Sequence, residues 1–406
     1  MSNKQNISVR WLYLVIGVIA MLFAGIIYAW SILKAPFASE FGWTTSNLAL
    51  NFTLTMTFFC VGGFLGARLA KRLGYKLTII ISGILAALGF ILTSFLGGGS
   101  VVLLYLTYGL LAGLGIGIAY NVLIATVSSW FPDKKGLCSG CLMMGFGASA
   151  LILGNLAASM MEGAMGWRTT YLILGIALGV VLVIAGLLLK RPGTDVVLPQ
   201  PKAAKAASKE NFEPRDFTTG EMLRRPSFWM AFLCLVFLTA VGSSVISFAK
   251  DLALSVGAAA SLATTLVGVL SICNGLGRII TGAVFDAMGR RFTMIAASVI
   301  TVVAAGITLL AVSIVSLPLC IVGLCLTGIS YGTSPTVSSA FTSAFYGQKY
   351  FSTNFSIVVF NMMFASFIAT GASSLLVSSG GYVVPFIMLL ALTVLSLVLN
   401  LCIRKP

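Results

Sequence analysis

Long apolar runs, each broken by a short cluster of charged or turn-forming residues, recur along the whole chain and begin near positions 11, 46, 77, 101, 137, 168, 227, 258, 292, 318, 352 and 383. Each is long enough for a helix of about 20 residues to cross a hydrocarbon core of roughly 30 Å. No water reaches the backbone there, so a helix that closes its own hydrogen bonds is the structure such a run can take. The pattern predicts an all-α membrane protein with twelve transmembrane helices. The first run, Trp11–Leu33, is too long for a signal-peptide core and has no small-residue cleavage site after it, so it is expected to stay attached.

Between Arg191 and Arg225 the runs give way to Pro, Lys, Ala, Glu and Asp, a composition that cannot bury enough apolar surface to pack in lipid. The expected organisation is an N-terminal six-helix bundle at 1–190, a cytoplasmic linker at 191–226 and a C-terminal six-helix bundle at 227–406. The halves echo each other. ARLAKRLGYK at Ala67–Lys76 is answered 215 residues later by GAVFDAMGRR at Gly282–Arg291, and Phe131 in WFPDKK is answered at an offset of 214 by Phe345 in FYGQKY. Duplicated bundles predict alternating access, one half rocking against the other about a site near the bilayer midplane. Gly109, Gly113 and Gly117, at four-residue spacing, predict close helix packing; their G-x-G fragments follow no strand and do not suggest a dinucleotide loop.

Composition sharpens this picture. Of the 406 residues, 59% are apolar and 9% charged, with a mean hydropathy of +1.05, which excludes an ordinary soluble domain. The net charge of +15 would suggest nucleic acid in a soluble protein, but 21 of the 25 basic residues fall on the side that holds the termini when the spans are threaded in order. The excess is therefore a topology signal, placing both termini in the cytoplasm of a multi-pass plasma (inner) membrane protein, and nucleic acid is not an expected partner. All eight cysteines lie in or at the ends of apolar runs, and Cys138 and Cys141 lack the second pair or histidine that a metal site needs. With no histidine and with acids confined to loops and helix ends, neither an enzyme nor a resident metal or other cofactor is expected. The linker is too short for a signalling domain, and a channel would favour rings of like residues.

One residue breaks the apolar rule. Arg278 sits inside an otherwise uncharged stretch from Ala258 to Val284, about 12 Å from the membrane edge marked by Asp286. An ionised group at that depth predicts a binding site, and its natural partner is an anion. The guanidinium fork can hold both oxygens of a carboxylate, fixing orientation as well as charge. Asn274 lies one turn earlier on the same face, with Ser271, Gly275, Thr281 and Gly282, while Ile272, Leu276, Ile279 and Ile280 are expected to face lipid. Lys34 and Lys250 are expected near the outer mouth, as charges that attract anions.

GAVFDAMGRR resembles the loop signature of the major facilitator superfamily, in which an acid and following basic residues tie helix ends together. YAWSILKAPFASEFGW and WFPDKKGLCSG resemble the oxalate:formate antiporter family, related to the monocarboxylate transporters. The resemblance covers essentially all twelve spans and implies the major facilitator fold and a carboxylate carrier whose eighth helix supplies an arginine, matched by Arg278. It also implies that Tyr120, in GIGIAYN, and Tyr331, in TGISYGTSP, line the cavity, with Tyr28 and Asn121 as further candidates. Three departures matter. Lys71 and Ala67 stand where the first-half signature expects an acid and a glycine; many monocarboxylate transporters have a proton-accepting aspartate where Asn274 stands; and the eleventh-helix lysine of the oxalate carrier is missing, no basic residue occurring between Tyr350 and Arg404. One buried cation suits a monoanion, since a dianion would be half compensated. The expectation is a secondary transporter of a small monocarboxylate of the lactate, pyruvate or formate type, by proton-coupled movement or by exchange, working as a functional monomer; the alternative is an oxalate:formate-like anion exchanger.

Overall fold

The computed structural model describes residues 2–133, 135–193, 198–199, 216–347 and 349–403. Twelve helices among them are long and apolar enough to cross a membrane: α1 (Ser8–Phe41), α2 (Thr45–Arg72), α3 (Tyr75–Ser94), α4 (Val101–Ser128), α5 (Leu137–Glu162), α6 (Gly166–Leu188), α7 (Pro226–Ser255), α8 (Ala260–Phe285), α9 (Arg291–Ser313), α10 (Leu317–Tyr346), α11 (Thr353–Ser379) and α12 (Val383–Cys402). Their starts fall within three residues of the expected positions. Of the expected linker, 194–197 and 200–215 lie outside the described residues. Its end holds a one-turn helix, Thr219–Leu223, with a capping box between Thr218 and Glu221.

The duplication is written in the packing. In the first half α2 packs on α4, and in the second α8 packs on α10. A Cβ added at Gly62 would stand 2.3 Å from the Leu114 carbonyl oxygen, and one at Gly277 the same distance from that of Ile329. Gly117 approaches the Phe59 carbonyl as Gly332 approaches that of Asn274, at 2.0 and 2.1 Å from the added Cβ. Every member of these pairs is 215 residues from its counterpart, so one set of backbone contacts is used twice. Only glycine permits such approach, which in lipid supplies the van der Waals packing that drives helix association. The turns repeat too. Gly42 and Gly257, Gly74 and Gly289, and Gly166 and Gly380 all have φ between 65° and 90°, a left-handed conformation that L side chains rarely adopt.

Two sequence motifs find structural duties. In WFPDKK, Asp133 pairs with Arg10 of α1 at 2.8 Å, Phe131 packs edge-on against Trp11, and Trp130 donates its indole N–H to the Lys190 carbonyl at 2.6 Å. That loop joins the start of α1 to the end of α6. The expected tie between the acid and the basic residues of GAVFDAMGRR involves Asp286 and Arg290, whose side chains lie outside the described residues.

The halves meet where α5 lies along α8 and α2 along α11. Cross-half hydrogen bonds run from the centre of the bundle to the face opposite the termini. Thr53 of α2 donates to the Ser366 carbonyl of α11 at 2.8 Å and shares a hydroxyl contact with Thr370, while Cys60 reaches the Val359 carbonyl at 3.4 Å. On that same face, at the far end of α1, Lys34 donates to the Ser247 carbonyl at 3.0 Å and to Asp251 at 2.9 Å, both on α7. Ser247 precedes Phe248, where α7 bends out of helical geometry (φ −135°, ψ 21°). Lys34 is therefore not the free vestibule charge the sequence suggests; it is buried and spent on a bridge between halves.

Candidate functional site

The predicted face of α8 is buried as expected: Ser271, Asn274, Arg278 and Thr281 are 5% exposed or less, whereas Ile272, Leu276 and Ile280 lie on the outer surface. Ile279 departs from the pattern. It is half-buried, and its Cα lies 3.8 Å from where a Cβ on Gly140 of α5 would stand, so it faces the other half and not lipid.

At 1% exposure, Arg278 is among the largest fully buried side chains. Its Nε donates to Asn274 Oδ1 at 3.1 Å, and its Nη1 donates across the half boundary to the Met143 carbonyl of α5 at 2.8 Å. Among the described residues Nη2 has no partner, and neither has the Nδ2 amide of Asn274. Orphan donors of a buried cation are expensive, because the guanidinium has given up water on all its edges and recovered protein oxygens on only two. Two unused donors, one charged, lie on adjacent turns of one helix face.

Aromatic rings surround this group. Tyr28 lies under the guanidinium, 6.0 Å from its carbon to the ring centroid. Tyr331 donates its hydroxyl to that of Tyr28 at 3.3 Å, with the rings edge-on at 5.7 Å. Phe146 touches Tyr28 and Tyr120 at 5.0 and 5.1 Å, and Phe59 touches Tyr120 and Phe146 at 5.1 and 5.9 Å. Tyr120 is buried and within electrostatic reach of Arg278.

Local backbone features hold the rings. Tyr28 belongs to a 3-10 segment, Gly25–Ala29, that interrupts α1; Gly25 is there because any Cβ would collide with the Phe146 carbonyl, 2.0 Å away. Tyr331 packs on Gly242 of α7, where a Cβ would sit 2.2 Å from its ring, and Pro335 one turn on has no N–H to give the Tyr331 carbonyl.

The structure thus brings together Arg278, Asn274, Tyr28, Tyr120 and Tyr331. Asn121 is buried beside Gly63 of α2. Its amide lies 3.9 Å from a Cβ position on Gly63, and Gly63 is the counterpart of Arg278 by the 215-residue offset. Thr336, the counterpart of Asn121, donates to the Arg278 carbonyl at 3.4 Å. Asn121 therefore occupies the equivalent place in the half that has glycine where the other has arginine. Sequence reasoning missed the Met143 carbonyl, Phe59 and Phe146. A backbone oxygen carries no residue signal, and two phenylalanines among 27 look like core.

The family profile described as Major Facilitator Superfamily matches residues 12–249 and 232–406, together nearly the whole chain. The chain belongs to the major facilitator superfamily. Within this superfamily it is similar to an uncharacterized MFS-type transporter, YhjX, of Escherichia coli, 28% identical over 360 residues, covering 88% of this chain and 85% of the relative. It is also similar to the oxalate:formate antiporter of Oxalobacter formigenes, 28% identical over 287 residues, with 70% and 65% covered. Monocarboxylate transporter 2 of Rattus norvegicus is 32% identical over 168 residues, 41% of this chain and 32% of the transporter. This major facilitator protein is a multi-pass integral membrane transporter, and two of the relatives named are an oxalate:formate antiporter and a monocarboxylate transporter.

Proposed function

We propose that the chain is a secondary carrier that moves a small monocarboxylate, of the lactate, pyruvate or formate type, by alternating access around Arg278. The unpartnered Nη2 of a fully buried guanidinium carries this reading. A carboxylate would accept from Nη2 and from the Asn274 amide at once, while the rings of Tyr28, Tyr120 and Phe146 cover a short hydrocarbon tail. Neutralising the cation stabilises the occupied site over the empty one, as a carrier requires of its substrate.

Charge supports a monoanion. Among the described residues near the site, Arg278 is the cation without an ion pair, since Lys34 is bound to Asp251, and α11 carries no basic residue. The relatives' names span both monocarboxylate transport and oxalate:formate exchange, and the single charge favours the former. Asn274 cannot titrate and the chain has no histidine, so a proton would travel with the acid itself or be replaced by exchange.

The basic excess places the termini face in the cytoplasm of a plasma (inner) membrane. On that assignment, the bonds from Thr53 and Lys34 hold the halves together on the outer side of Arg278. Uptake of labelled lactate and formate into proteoliposomes tests the proposal. The carrier should show counterflow, a transient accumulation against an unlabelled pool on the far side; flux without counterflow, or none for any monocarboxylate, would overturn it.

A further inference from the structure

The carboxylate reading leaves open what limits the length of the tail. We propose that Phe146 of α5 is the residue that sets it. Phe146 is fully buried and stands one turn along α5 from Met143, whose carbonyl takes the Nη1 hydrogen of Arg278. Tyr28 lies under the guanidinium and edge-on to Phe146, so a single ring separates the phenyl group from Arg278. The ring is also the hub of the aromatic cover. It meets Tyr28 edge-on at 5.0 Å, Tyr120 at 5.1 Å and Phe59 at 5.9 Å, joining α1, α2 and α4 to the α5 face.

Its position cannot relax away from the site. The Phe146 carbonyl backs directly on Gly25, and its ring is held by aromatic neighbours on three other helices. Tyr28, Tyr120 and Tyr331 each bring a hydroxyl, whereas Phe146 and Phe59 offer only carbon. A carboxylate held by Arg278 therefore meets hydroxyls near its polar end and the Phe146 ring beyond. An apolar wall discriminates by size, and each methylene that does not fit costs roughly tenfold in affinity. Phe146 acts here as a specificity residue in contact with the tail, with no part in holding the charge.

This inference rests on the carboxylate reading of the same site, and its test separates the two. Inhibition of labelled lactate uptake would be measured with acetate, propionate, butyrate, pentanoate and hexanoate for the wild type, Phe146→Ala and Phe146→Leu. The proposal expects wild-type affinity to fall steeply along the series, and Phe146→Ala to bind the longer acids about tenfold better relative to acetate. Phe146→Leu should show a smaller shift of the same sign, which keeps the test alive if the alanine variant fails to fold. An unchanged length profile in a folded variant that still carries lactate would overturn the role of Phe146 alone. If the wild type takes up neither labelled lactate nor labelled formate, the carboxylate reading falls and this inference with it; lactate uptake that none of the longer acids inhibits in Phe146→Ala overturns the role of Phe146 alone.

Discussion

At the scale of single residues, the site is defined by what Arg278 lacks. Two of its three nitrogens are satisfied by protein and the third is not. Arg278→Lys keeps the charge but loses the fork, and an ammonium cannot serve Met143, Asn274 and a substrate together. Transport efficiency should fall by about 100-fold, the cost of breaking a desolvated charge pair, as read by initial uptake rates at several substrate concentrations. Asn274→Asp gives a sharper test. It sets a carboxylate 3.1 Å from Nε, where Oδ1 now accepts, so that the protein supplies its own anion. That carboxylate competes with substrate while ionised and stops competing when protonated. Apparent affinity relative to the wild type should therefore drop at neutral pH and recover as pH falls; a variant-to-wild-type KM ratio that does not change with pH would count against competition for the guanidinium.

At the scale of elements, glycine backbone contact decides which helices can meet. Gly332 lets α10 lie on the Asn274 carbonyl, and Gly25 lets the unwound part of α1 lie on that of Phe146. Both contacts are with backbone, so neither neighbour can rotate aside. Gly332→Ala and Gly25→Ala should each destabilise the folded protein by about 1–3 kcal/mol, as overpacking does, visible as a lowered melting temperature in detergent. Gly306, with open space around it, is the control expected to tolerate alanine. The helix pattern was legible in the sequence because apolar length is a direct consequence of bilayer thickness, and the buried face of α8 followed from helical period. The 215-residue echo was readable in the loops, but the paired glycine contacts were not, since a glycine gives no sign of which carbonyl it approaches. Lys34 was misread for a related reason: a lysine near a helix end resembles a solvated charge until Asp251, 217 residues away, is brought against it.

At the scale of the whole molecule, the halves are joined on one face by Lys34–Asp251 and Thr53–Thr370 and at the centre by Arg278–Met143. Asp251 is half-exposed, and the side chain of Lys34 is only 10% exposed. Asp251→Asn leaves the lysine charge buried with a carbonyl alone, so the face opposite the termini should open more often. A cysteine introduced at the buried Ser31 would then react faster with an impermeant maleimide from that face, by about tenfold, while exchanging the two charges should restore protection. No acceleration would mean that the pair bridges the halves without holding them. The central claim, that a carboxylate completes the partners of Arg278, is tested most directly by equilibrium binding of labelled lactate and formate to purified protein, wild type beside Arg278→Gln. Saturable one-site binding in the wild type that vanishes in a folded variant is the predicted result; equal binding by both proteins would contradict it.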